Sequence, residues 1–158
     1  MALQYGTSTA LTITAASIVS GGNRSSAAVT TGLTTNIAQI LLTVNILTSA
    51  SAPSGNKQVL VYGYASEDGT NYGGESSLQD NVDGTDKALT AIGVPTNLKY
   101  IGAIQLNAGA NAVTVRGVFE VTSALGGIFP KWGIVLVNDS GVTWGATVSA
   151  TYREVYYS

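Results

Sequence analysis

With 158 residues the chain holds one full hydrophobic core, and two domains would each have to be small. Charged residues make up 10% of it and the net charge is −2, against roughly 25% charged residues in an average soluble protein, so much of the surface must be neutral. Cysteine and histidine are both missing, which excludes a disulfide framework, a thiolate nucleophile, a sulfur-ligated metal and every Ser-His-Asp arrangement.

The small net charge hides an asymmetry. Glu67, Asp68, Glu75, Asp80, Asp83 and Asp86 crowd one stretch without Lys or Arg, and the rest of the chain is mildly basic. Arg24, Lys57, Lys87, Lys99, Arg116, Lys131 and Arg153 are scattered and form no run, so the sequence carries no nucleic-acid footprint. No stretch approaches the roughly 18 apolar residues of a membrane span, and MALQYGTSTALTIT lacks a basic region followed by an unbroken apolar one. The expectation is a protein made in the cytoplasm, without a cleaved signal and without a membrane partner.

Residues 1–35 read as an N-terminal arm or edge strand. Leu11 and Ile13 alternate with Thr12 and Thr14, which favours an extended segment over Ala10 to Ile18, and Ser20-Gly21-Gly22-Asn23 is a turn. The 36–158 region reads as the sandwich proper. Its organising stretch is Asn36 to Leu47, where Ala38, Ile40, Leu42, Val44 and Ile46 share one face of an extended chain, as in a central strand. Thr48 to Asn56 collects Ser, Pro and Gly as a connection, and Lys57 to Ala65 follows as a hairpin partner. There Val59, Val61, Gly63 and Ala65 share one face and Leu60, Tyr62 and Tyr64 the other.

The acidic segment Ser66 to Asp86 is longer than an ordinary connection, so it is a functional loop or holds short strand pieces. Ala88 to Ile92 reads as a short strand ending at the turn Gly93-Val94-Pro95-Thr96. Asn97 to Leu106 and Ala112 to Val121 flank the small-residue turn NAGAN as a hairpin. Ser123 to Gly133 breaks the alternation and reads as a crossover, with Phe129 and Trp132 as plugs over a sandwich end. Ile134 to Val137 and Ala146 to Tyr157 close the chain as strands around the turn Asn138-Asp139-Ser140-Gly141. No amphipathic helical window stands out. About eight strands joined by loops of very different length fit an all-β, two-sheet antiparallel β-sandwich of jelly-roll-like type, with an immunoglobulin-like sandwich as the second choice.

Chemistry is sparse. Asp80, Asp83 and Asp86 around Gly84 offer hard oxygen ligands for Ca²⁺, but their spacing departs from the EF-hand, and a solvated acidic loop explains them as well. The same carboxylates could supply a glycosidase acid pair only if one mobile loop held two of them at a fixed separation. Tyr62, Tyr64, Trp132 and Trp144 invite sugar stacking, although strand aromatics more often pack in cores. No Walker loop, GxSxG or GxGxxG occurs. The expectation is a protein that is no enzyme and carries no cofactor.

The segments LVYGYASEDGTNY, PTNLKYIGAI, GGIFPKWGIVLVNDSG and ATYREVYYS give the chain its resemblance to small all-β virion proteins of tailed bacteriophages. That resemblance spans most of residues 36–158 and implies a capsid cement or decoration protein. Such a protein sits in the virion on the outer shell, binds the major capsid protein and is often a trimer. It stabilises the mature head by bridging capsid subunits, and the resemblance brings no catalytic residues. The alternative in the same setting is a tail or head-fibre module that binds receptor or carbohydrate. Candidate interface residues under these readings are Leu60, Tyr62, Tyr64, Trp132, Tyr156 and Tyr157.

Overall fold

Alternation of apolar side chains produces extended strands almost throughout the computed structural model, which describes residues 2–32, 36–72, 81–90 and 98–158. The strands are β1 (Leu3–Tyr5), β2 (Thr9–Leu11), β3 (Asn23–Ser25), β4 (Val29–Thr30), β5 (Asn36–Leu47), β6 (Gln58–Ser66), β7 (Lys99–Gln105), β8 (Thr114–Glu120), β9 (Lys131–Asp139) and β10 (Val148–Tyr157). One helical turn, α1 (Thr122–Leu125), lies between β8 and β9. A front sheet runs β1-β10-β5-β8, with β2 also on β10, and a back sheet runs β3-β9-β6-β7, with β4 also on β9; every pairing is antiparallel.

The short strands explain why ten appear among the described residues where about eight were expected. Because β1 and β2 share β10, and β3 and β4 share β9, each pair acts as one interrupted edge strand. Counted that way there are eight positions, ordered 1-8-3-6 in front and 2-7-4-5 behind. That is the strand order of a jelly roll, in which consecutive strands mostly change sheets. Residues 2–32 thus supply an edge to each sheet.

Two expected hairpins are not in-plane pairs. Strands β5 and β6 lie in opposite sheets, as do β7 and β8. The connections are arches: the first runs through buried Pro53 and turns at Gly55 and Lys57, both at positive φ. Strand periodicity specifies which face is buried but not whether the next strand pairs in plane or stacks across the core. At the arch between β7 and β8 the sheets come close enough to need glycine. A methyl group on Gly117 would lie 2.6 Å from Ile104 Cγ1, and one on Gly102 2.7 Å from Phe119 Cε1.

Between the sheets Ile40, Leu42, Val44 and Ile46 meet Val59, Val61, Ile134 and Leu136, all buried. Each such side chain contributes about 1.5–3 kcal/mol before entropy. Trp132, expected in a crossover, belongs to β9 and is 0% exposed in this core, its ring edge-on to Tyr152 with centroids 5.4 Å apart. The alternation Trp132, Ile134, Leu136 begins just after Pro130, and Gly133 between the first two obscures it in the sequence. Trp144 is also buried, at 2% exposure.

A second apolar cluster lies on the outer side of the back sheet. There Tyr64 and Val135 are covered by Val82, Leu89 and Leu98, with Tyr72 and half of Tyr62 alongside. The described part of the expected strand Ala88 to Ile92, residues 88–90, is not a strand; Ile92 and the turn Gly93-Val94-Pro95-Thr96 lie outside the described residues, as do Glu75, Leu78 and Asp80.

Candidate functional site

Three described carboxylates of the acidic segment, Asp68, Asp83 and Asp86, are engaged by groups of this chain. Asp86 accepts hydrogen bonds from Arg24 Nε at 2.6 Å, from the Thr14 hydroxyl at 2.6 Å and from the Thr14 amide at 2.9 Å, while Arg24 Nη2 reaches the Asp86 carbonyl at 3.1 Å. Asp83 takes Lys87 Nζ and the Thr85 hydroxyl, each at 2.6 Å. Asp68 closes a turn with the amides of Thr70 and Asn71, the Ser66 hydroxyl and the Asn71 side chain. Among the described residues no three acidic side chains converge on one point. Asp83 and Asp86 are turned to separate partners, and Asp80 is outside the described residues.

Burial alone would raise the pKa of Asp86, but the hydrogen bonds from Arg24 and Thr14 outweigh it and hold the carboxyl below its usual range. In Asp83 burial is likewise overcome, by Lys87 and Thr85, and the pKa falls to about 2. Both groups are depressed in the folded state, so the stability they contribute is complete above an unfolded pKa near ~3.9 and is lost as pH falls toward the folded values. Acid titration between about pH 4 and pH 2 should therefore loosen residues 81–90 from the back sheet, read as rising Tyr64 accessibility to a quencher. Asp86→Asn should flatten that acid transition, whereas an unchanged transition would remove Asp86 from it.

A cleft of about 520 Å³ opens beside this segment, lined by Glu67, Asp68, Asn71, Tyr72, Lys99 and Phe129 among others. Hydroxyl-binding carboxylate and amide groups next to aromatic rings are the materials of a sugar site. Tyr64 forms part of the wall, but its hydroxyl is committed to the Ser26 carbonyl at 2.7 Å, and burial pushes its pKa well above the ordinary value.

The outer side of the front sheet is the broad open surface. Side chains directly opposite one another share a face, and the register sets three rows there: Arg153-Leu41-Glu120, Thr151-Thr43-Val118 and Ser149-Asn45-Arg116. A depression of about 280 Å³ is lined by Arg116, Arg153, Leu41, Val118 and Tyr5 among others. Neither arginine belongs to an ion pair among the described residues. Glu120 turns its carboxylate to the amides of Thr122 and Ser123 at 2.7 and 2.9 Å, holding the start of α1. At the β1 side the face continues through Leu3 and Tyr157, which sit opposite each other and are 47% and 44% exposed.

The six candidate interface residues scatter over this architecture. Leu60 and Tyr62 lie half-buried on the outer back sheet, Tyr62 edge-on to the exposed Tyr100 with centroids 5.6 Å apart. Tyr64 and Trp132 are corrected: both are spent inside the chain, Tyr64 because residues 81–90 cover it and Trp132 because it points between the sheets. Trp144 is lost as a sugar platform for the same reason. Tyr157 is exposed, and half-buried Tyr156 lines a crevice with Tyr152 and Glu154. Sequence reasoning missed Arg116, Arg153 and Val118. Polar alternation in TVRGVFE marks an outward face, but nothing in it shows that β5 and β10 would align their own polar rows with it.

Comparison of the chain with protein-family models, with characterised proteins and with solved structures finds no match.

Proposed function

We propose that the chain is a structural protein of a tailed-phage virion that docks on the mature head and cements it. The observation that carries this reading is the contrast between the two outer faces. Residues 81–90 cover Tyr64 and Val135 on the back sheet's outer side, whereas the front sheet presents an open face of Thr, Ser, Asn, Leu and Val with two arginines that join no ion pair among the described residues. A flat, nearly neutral face is cheap to desolvate against a protein partner, and its arginines supply directional hydrogen bonds to carboxylates. The jelly-roll order supports the reading as a fold-level analogy, since viral capsid domains use it, as do lectins.

The mechanism needs no bond to be made or broken. A ligand that binds only the assembled, expanded shell stabilises that state by mass action, by about 2.7 kcal/mol per site at a concentration 100 times Kd. The partner under this reading is the major capsid protein, and the resemblance to decoration proteins implies trimers on the shell. Mixed with expanded heads of the phage that encodes it, the chain should co-sediment and raise their melting temperature, and Arg153→Glu should weaken binding about tenfold or more. Heads that neither bind nor contain the chain would overturn the proposal.

The cleft at Asp68, Asn71, Tyr72 and Phe129 favours a second reading, a fibre-type module that binds carbohydrate. Under it, Tyr72→Ala abolishes binding on a glycan array, and a blank array for the wild type ends it.

A further inference from the structure

We propose that β8 is a self-association edge, pairing antiparallel with β8 of a second copy about a twofold axis at Val118. This goes beyond docking on a shell and does not depend on it.

The edges of the two sheets are not equivalent. On one side each sheet ends in interrupted pieces of two or three residues. On the other, β7 starts with Lys99 and its pairing with β6 shifts register between Val61 and Tyr62. Short pieces, lysines and bulges are the devices that keep sheet edges from joining. β8 is less protected: its seven residues pair with Leu41–Leu47 of β5 without a shift, it contains neither Lys nor Pro, and its two charges, Arg116 and Glu120, are of opposite sign. Among the described residues nothing pairs with its outer side.

Hydrogen-bond parity shows which groups that side offers. The Val121 amide donates to the Ile40 carbonyl, and the Thr48 amide donates to the Val113 carbonyl. Odd-numbered residues of β8 therefore turn their backbone groups toward β5, and Thr114, Arg116, Val118 and Glu120 turn theirs outward. Val118 itself is 60% exposed, an unusual position for a β-branched residue in the middle of a strand.

A twofold at Val118 sets Val118 against Val118 and Arg116 against Glu120, twice, with every outward amide of the three residues facing a carbonyl. Moving the twofold to Gly117 sets Arg116 against Val118, and moving it to Arg116 sets like charges together, so charge complementarity selects the first register. Each carboxylate oxygen of Glu120 accepts one hydrogen bond, from the Thr122 or the Ser123 amide, which leaves lone pairs for a guanidinium. On the other face Phe119 meets Gly117, which offers no side chain to clash.

The result is one continuous sheet through two copies, closed at two. Because an edge contact this short buries less than the roughly 800 Å² per partner of a stable interface, Kd should lie on the order of 10⁻⁴ M. Sedimentation over rising concentration should show a monomer–dimer equilibrium. Hydrogen exchange at the amides of Arg116, Val118 and Glu120 should slow as dimer forms. Arg116→Glu and Val118→Lys, both at exposed positions, should each weaken the dimer about tenfold or more, and Lys57→Glu should not. A monomer throughout, an oligomer whose β8 amides exchange unchanged, or variants that associate like the wild type would each overturn the proposal.

Discussion

Replacing Trp132 by alanine should destabilise the fold by about 3–5 kcal/mol, the cost of emptying a fully enclosed aromatic site. Its side chain is 0% exposed and leans edge-on against Tyr152, so the cavity lies between β9 and β10, where neither sheet can collapse without disturbing its ladder. At a typical total stability of about 5–15 kcal/mol this is a large share, equivalent to a fall in Tm of roughly 6–20 °C for a domain of this size. Among the described residues nothing accepts from the indole N–H, so Trp132→Phe keeps the ring contact and removes that donor. That variant should cost about 1 kcal/mol or less. Urea unfolding of the two variants measures the contrast. A Trp132→Ala protein as stable as the wild type would put the ring on the surface, where the sequence alone allowed it to serve as an interface.

Asn138→Ala should cost about 2–4 kcal/mol, nearly as much, for a different reason. The Asn138 amide nitrogen donates to the carbonyls of Ile18 and Val142 at 2.7 and 2.8 Å, and its oxygen accepts from the amide and hydroxyl of Ser140. The residue is 0% exposed and ties three chain segments together at one end of the sandwich. Truncation removes four hydrogen bonds, at a net of about 0.5–1.5 kcal/mol each, and leaves the Ser140 amide without a partner, while the Ile18 carbonyl keeps the Trp144 amide at 3.0 Å and the Val142 carbonyl keeps the Ser140 hydroxyl at 3.1 Å. Asn138→Asp should be as harmful at neutral pH, because a carboxylate cannot donate to either carbonyl. Equilibrium denaturation settles both; a loss below about 0.5 kcal/mol would mean the network is dispensable.

Much of the sandwich was legible because strand alternation is a local property. Ile40, Leu42, Val44 and Ile46 fall on one face by spacing alone, and β5 has the same bounds in the structure as in the sequence reading. The split edges were not legible: two- and three-residue strands such as Val29–Thr30 carry too few residues to show a period. The arches were misread as hairpins because in-plane and cross-core partners bury the same faces. Tyr64 alternates with Tyr62 and reads as equally exposed, until Val82 and Leu89 arrive from a distant part of the chain to bury it. The rows holding Arg116 and Arg153 exist only through register, which no single strand encodes.

These placements tie function to what is left uncovered. The acidic segment, which from composition could have been a metal or catalytic loop, fastens itself through Asp86 to Arg24 and Thr14, holds its own turn through Asp83 and Lys87, and shields part of an apolar back sheet. The front face and its β8 edge are open to a partner among the described residues.

The most direct test is an image of purified heads from the encoding phage by electron cryomicroscopy. Density for this sandwich on the outer shell, front sheet toward the capsid protein with Arg153 at the contact, is the predicted result. A shell whose density is fully accounted for without this chain would contradict it.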